Sequence, residues 1–275
     1  MVPVVVGTAC ATGRTDIIAW RAAAAMVVAL ALQVGTNYAN DYSDGVRGTD
    51  SGGRRVGPLR LVGSGLVPPR AVKRAAFEAF AVAALAGLAL AIAVGWELVL
   101  VGALAIAAGW FYTGGPRPYG YFGLGELFVF VFFGVVATAG SAYIQEEQLS
   151  GLALGASIPV GFLVTALLVV NNLRDIPGDT ASGKRTLAVR LGDIRTRWLY
   201  VALVGGAAVA VPLVAAIGDR AAATLAFLAM PLSLRPLSAV IRGDRGVALI
   251  PVLADTGRLH LWFGLLLALG LWISG

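Results

Sequence analysis

The chain has 275 residues, 58% of them hydrophobic and only 13% charged, with a mean hydropathy of +0.83 and a formal net charge of +6. Soluble domains carry about 25% charged residues, so an ordinary soluble fold is excluded and a polytopic membrane protein is expected. A single cysteine, Cys10, excludes an intrachain disulfide and a cysteine-built metal site.

A helix that crosses a bilayer needs about 20 mostly apolar residues. In chain order such segments fall at 2–13, 17–40, 71–94, 97–113, 122–144, 152–174, 196–218, 220–240 and 257–274. They predict an all-α integral membrane protein, a single polytopic domain over 1–275 with nine transmembrane helices. The first segment is too short to span. It has no basic n-region and so is not a signal peptide; it reads as a truncated or mis-started first helix.

The second segment runs out into Asn37, Asn40, Asp41 and Asp44. At offsets 0, 3, 4 and 7 these share one helical face. The sixth segment runs out into Asn171, Asp175 and Asp179, a second stripe at offsets 0, 4 and 8. Because an Asp deep in a membrane helix costs about 2.5 to 3.5 kcal/mol on insertion scales, several near one helix end call for compensation. Oxygen ligands without His or Cys suit a hard cation, and Mg²⁺ held by a few carboxylates completes its shell with water and phosphate oxygens. The stripes therefore predict a magnesium and diphosphate site.

Nine segments put the loops 41–70, 114–121, 175–195 and 241–256 on one side of the membrane. Only Arg14, Arg21 and Arg220 fall on the other side, against the remaining eighteen of 21 lysines and arginines. The positive-inside rule makes the basic side cytoplasmic and places both acidic stripes there. The high pI is thereby explained without nucleic acid, and the expected setting is the cell membrane.

Asn37 and Asp41 map onto Asn171 and Asp175 at a common offset of 134 residues. Pseudo-repeat halves of about 1–140 and 141–275 would bring the two stripes face to face across a central cavity. A single such stripe is readily explained as capping or snorkelling. Two on one side, each followed by basic residues, point to function.

Four stretches, 35–50, 57–65, 111–127 and 171–187, carry a resemblance. Asn40-Asp41-Tyr-Ser-Asp44 together with Asp175-Ile-Pro-Gly-Asp179, among nine apolar segments, resembles the UbiA superfamily of intramembrane prenyltransferases. Within it the sequence is most similar to the 1,4-dihydroxy-2-naphthoate polyprenyltransferases of menaquinone biosynthesis. The resemblance covers essentially the whole chain, except that the Arg-Pro segment usual before the Val-Pro-Val-Val-Val stretch is not in this sequence. It implies Mg²⁺ as cofactor, and polyprenyl diphosphate and 1,4-dihydroxy-2-naphthoate as substrates. The implied reaction transfers the prenyl group with decarboxylation to give a demethylmenaquinone. Oligomeric state is left open.

Roles follow from that chemistry. Asn37, Asn40, Asp41 and Asp44 form the first expected metal cluster, and Asp175 and Asp179, supported by Asn171, the second. Arg60, Arg117, Lys184 and Arg185 are the candidates for holding diphosphate, Arg bidentately and Lys as a point charge. Tyr112 could face an allylic cation. Glu126, an acid just inside an apolar run, could accept from a naphthoate hydroxyl, take its proton or pair with Arg117. Asp50, among glycines, and His260, the single histidine, read first as structural.

Two other classes compete. Asp41-x-x-Asp44-Gly45 partly resembles the motif of CDP-alcohol phosphotransferases, but Arg47 falls too early and the downstream acidic pair is missing. A transporter would place its carboxylates deep inside helices, whereas these stand at helix ends.

Overall fold

A computed structural model describes residues 1–49 and 60–275. Asp50, Arg54, Arg55 and the glycine-rich run 52–57 lie outside the described residues. Among those described, regular structure is helical throughout and no strand occurs.

In chain order the helices are α1 (Val2–Cys10), α2 (Ala19–Val46), α3 (Pro69–Ala93), α4 (Glu97–Phe111) and α5 (Gly125–Glu146). They continue as α6 (Gly151–Ala181), α7 (Leu187–Gly218), α8 (Ala221–Arg242) and α9 (Gly246–Ile273). All except α1 and α4 are long and apolar enough to cross a membrane, seven helices among the described residues. At 1.5 Å per residue, the fifteen residues of α4 reach about 22 Å, short of a hydrocarbon core about 30 Å thick. The nine residues of α1 reach less still. Of the nine expected segments, these two do not meet the length of a full span.

The expected segment ends also move. Helix α2 runs to Val46 instead of stopping at 40, and α6 runs to Ala181 instead of 174. Both acidic stripes are therefore on helices and not in the loops that follow. Hydropathy falls where polar residues begin, but backbone hydrogen bonds continue through them, so apolarity ends before the helix does. For the same reason the last helix begins well before residue 257, and His260 lies inside it and not at its start.

The chain folds into two compact units, each discontinuous in sequence: 1–23, 126–174 and 191–275 form the first, and 24–125 with 175–190 the second. In the first unit, α1 packs on the C-terminal part of α5 and on α9. Gly7 lies against the Thr138 carbonyl and Gly264 against Val2, where any side chain would collide. Gly134 and Gly161 bring α5 and α6 together, since a Cβ on Gly134 would lie 2.5 Å from the Gly161 Cα. The buried Arg220 donates to the carbonyls of Thr12 (2.6 Å) and Leu271 (2.8 Å), so its charge lies among backbone dipoles.

In the second unit, Ala39, Ala76 and Phe80 form a buried cluster packed by Leu32, Tyr38, Ile106 and Trp110. Gly35 leaves room for the Phe80 ring, which a Cβ there would approach to 2.7 Å. The Trp110 ring lies 4.9 Å from that of Phe77 and 6.2 Å from that of Tyr42. These contacts fix the C-terminal half of α2. Leu85, Ile92 and Leu100 in this unit, and Val209 and Leu213 in the other, are large, apolar and exposed. Such faces suit lipid, and the chain is a multi-pass membrane protein.

Candidate active site

Asp41 and Asp44 on α2 and Asp175 and Asp179 on α6 all belong to the second unit. Asp179 feels the charges of Lys184, Asp175 and Asp44, so residues far apart in sequence are near neighbours in space. Its Oδ2 also lies 3.4 Å from the Thr186 hydroxyl.

Asp44 is buried and both its oxygens are engaged. Oδ1 accepts from the Tyr121 hydroxyl at 2.5 Å, and Oδ2 accepts from Lys184 Nζ at 2.8 Å. The Lys184 ammonium also stands over the Tyr121 ring, 4.9 Å from its centroid. Burial opposes the charge on Lys184, but Asp44, Tyr121 and Asp179 together hold its pKa above the ordinary lysine value. Burial first, and then the charge of Asp44, raise the Tyr121 phenol. It therefore remains a hydrogen-bond donor at neutral pH.

Asp41 does different work. Its two oxygens accept from the backbone N–H groups of Leu61 and Val62, each at 2.9 Å, and tie the turn that follows α2 in sequence to the acidic stripe. Gly45, one turn further along α2, lies against the Val62 side chain, and any Cβ there would displace it. Arg60 opens this turn, and its carbonyl accepts from the Ser64 backbone at 3.1 Å.

The segment between α4 and α5 lies along the same stripe. Asn40 Oδ1 accepts from the Thr113 hydroxyl at 2.8 Å. The Arg47 guanidinium donates to the carbonyls of Thr113 and Gly115 and stands 5.4 Å from the Tyr121 ring centroid. Tyr112 meets Tyr119 edge to face at 5.5 Å and accepts through its carbonyl from the Gly120 N–H. Gly120 has to be small, since a Cβ would fall 2.7 Å from that carbonyl. Tyr119 donates to the Ala108 carbonyl at 2.8 Å, and burial raises its pKa.

The other expected residues are less converged. Asn37 is exposed and donates back to the Gln33 carbonyl of its own helix at 3.0 Å. Arg117 and Arg185 are exposed. Arg185 contributes its backbone N–H, which donates to the Tyr121 carbonyl at 3.0 Å. Glu126 and Asn171 belong to the first unit. There Glu126 is buried, its Oε1 accepts from Asn172 Nδ2 at 2.9 Å, and its Oε2 has no hydrogen-bond partner among the described residues. Asn171 Oδ1 accepts from Arg174 at 2.9 Å.

Three residues absent from the sequence-based site stand along the stripe in the second unit, Tyr121, Thr113 and Arg47, while Asn172 pairs with Glu126 in the first. Arg47 stands three residues after Asp44 but looks like one more positive-inside charge. Tyr121 and Thr113 lie in a Gly- and Pro-rich stretch whose path no periodicity reports. Asn172 alone had a local signal, since it continues the Asp175 and Asp179 face at i, i+3 and i+7.

As a metal site the donor set is all oxygen, which fits a hard divalent cation. Among the described residues no group of three or more His, Cys, Asp or Glu side chains is placed to hold a metal ion.

The model of the UbiA prenyltransferase family matches residues 1–263. A 1,4-dihydroxy-2-naphthoate octaprenyltransferase of Mycobacterium tuberculosis is 49% identical over 266 residues, covering 97% of this chain and 90% of that one. Its counterpart in Mycobacterium leprae is 46% identical, covering 99% and 92%. Among solved structures, a UbiA homolog from Archaeoglobus fulgidus bound to DMAPP and Mg²⁺ matches with a TM-score of 0.62 and 13% identity. That match covers 97% of this chain and 93% of the other, and at that identity it bears on the fold alone.

Proposed function

The chain belongs to the UbiA prenyltransferase family, and from that membership we propose that it transfers a polyprenyl group from polyprenyl diphosphate to 1,4-dihydroxy-2-naphthoate. The observation that carries this reading is the gathering of Asp41, Asp44, Asp175 and Asp179 in one unit with Lys184 on Asp44. The names of the Mycobacterium relatives support the acceptor.

Bound Mg²⁺ would supply Lewis-acid neutralisation of the charge that develops on the departing diphosphate. Asp41, Asp44, Asp175 and Asp179 would hold it, with Asn37, Asn40 and Asn171 as supporting oxygen donors. Arg60, Arg117, Lys184 and Arg185 would bind the phosphate oxygens. Tyr112 would present its ring to the allylic cation. Glu126, held by Asn172, would accept a hydroxyl proton of the naphthoate as the ring attacks and return it when carbon dioxide leaves and the ring rearomatises. In the step itself the donor C1–O bond breaks with its electron pair leaving on diphosphate. A carbon–carbon bond forms from the ring to C1, and the carboxylate's bonding pair stays with the ring as carbon dioxide departs. No electrons are exchanged, so the immediate product is the quinol form of a demethylmenaquinone.

In this reading the 275 residues act as one polytopic domain of the cell membrane, with α1 and α4 counted among nine membrane segments. The distribution of arginine and lysine supports a site open to the cytoplasm. The test is a membrane assay with labelled polyprenyl diphosphate and a panel of acceptors, with and without EDTA. Transfer to 1,4-dihydroxy-2-naphthoate, abolished by EDTA, is expected. Transfer to 4-hydroxybenzoate or homogentisate in its place would reassign the acceptor within the family, and transfer of a CDP-linked head group would overturn the reading.

A further inference from the structure

Asp44 is buried and each of its oxygens already accepts a hydrogen bond, so a divalent cation at Oδ2 competes with the Lys184 ammonium for that oxygen. The two partners of Asp44 are held very differently. Tyr121 is anchored at both ends: its N–H donates to the Pro118 carbonyl, its own carbonyl accepts from the Arg185 N–H, and its hydroxyl donates to Asp44. The backbone at Lys184 is also fixed, through its N–H to the Asp179 carbonyl at 2.9 Å, after Ser182 and Gly183 have closed the end of α6. The backbone contacts leave the rotatable bonds of the four-carbon Lys184 stem unfixed, and the side chain is 12% exposed.

We infer that Lys184 is an exchangeable counter-ion: it neutralises Asp44 in the ligand-free protein and transfers to a diphosphate oxygen when a divalent cation takes its place, while Tyr121 keeps Asp44 in register. This rests on the metal and diphosphate site proposed above. A cation arriving alone has to displace a largely buried ammonium from the carboxylate that neutralises it, which is costly. A cation arriving with diphosphate brings the oxygens that receive it. Lys184 thus couples the two ligands, and coupling is reciprocal. The Tyr121 ring, 4.9 Å from Nζ, gives the ammonium an electron-rich face beside the carboxylate it leaves.

The test is binding of Mn²⁺, followed by its electron paramagnetic resonance signal, to the full chain in lipid nanodiscs with and without inorganic diphosphate. For the unmodified protein, diphosphate should tighten Mn²⁺ binding strongly. In Lys184→Gln the affinity for Mn²⁺ alone should rise by about tenfold, within the range usual for coupled ligands, and the gain from diphosphate should shrink by a similar factor. Unchanged or weaker binding of Mn²⁺ alone to Lys184→Gln, with the unmodified protein still binding Mn²⁺ and diphosphate together, would overturn the exchange and leave the metal site standing. Failure of the unmodified protein to bind Mn²⁺ even with diphosphate would overturn both. If Lys184→Gln does not fold, Lys184→Met serves for the same comparison. In the unmodified chain, a Mn²⁺ affinity indifferent to diphosphate overturns the exchange without any variant.

Discussion

Lys184 Nζ stands 2.8 Å from Asp44 Oδ2 across 140 residues of chain, and both side chains are largely buried. Removing one member of such a pair leaves an uncompensated charge, at a cost of about 3 to 5 kcal/mol. Asp44→Ala should therefore lower thermal stability as well as abolish transfer. The double variant Asp44→Asn with Lys184→Gln should regain most of the stability and none of the activity. A double variant as unstable as Asp44→Ala in thermal unfolding would show that the pair is not what holds this end of the unit together.

Tyr121→Phe keeps the ring beneath Lys184 and Arg47 and deletes the hydroxyl that donates to Asp44 Oδ1 and meets Thr49. A hydrogen bond to a charged group is worth about 1.5 to 3 kcal/mol, so kcat/KM should fall by about tenfold or more. The magnesium concentration needed for half-maximal rate should rise while the helical circular dichroism is unchanged. A rate equal to that of the parent at all magnesium concentrations would remove Tyr121 from the site.

Asp41 holds the turn at Leu61 and Val62 through two backbone N–H groups, and Gly45 leaves the space that Val62 fills. Gly45→Ala should push that turn away without altering any carboxylate. The expected result is a raised KM for the polyprenyl diphosphate with a smaller change in kcat. An effect confined to the aromatic acceptor would separate this turn from the donor.

Glu126 accepts from Asn172 on one oxygen and has no hydrogen-bond partner on the other among the described residues. Glu126→Gln should raise the KM for the naphthoate several-fold and leave the KM for the donor near its original value. Equal effects on both substrates would point to a structural role.

Chelation should stop turnover without unfolding the protein, because Asp44 has Lys184 as its counter-charge when no cation is bound. EDTA followed by Mg²⁺ should restore the rate. A melting temperature that collapses in EDTA, read by circular dichroism, would mean that the metal is structural.

The amino-acid sequence by itself determined the features that repeat over a few residues. Apolar runs about 20 residues long require lipid, and polar residues at helical spacing share a face whatever the rest of the chain does, so the acidic stripes were legible from Asn37 to Asp44 and from Asn171 to Asp179. Helix ends were not, because hydropathy falls at residues 40 and 174 while backbone hydrogen bonding continues to Val46 and Ala181. Only the tertiary structure decided which neighbours those carboxylates have. Tyr121 reaches Asp44 across 77 residues and Lys184 across 140. A pair so distant leaves no periodic trace, since it is brought together by the packing of whole helices and not by the local rise and turn of any one of them.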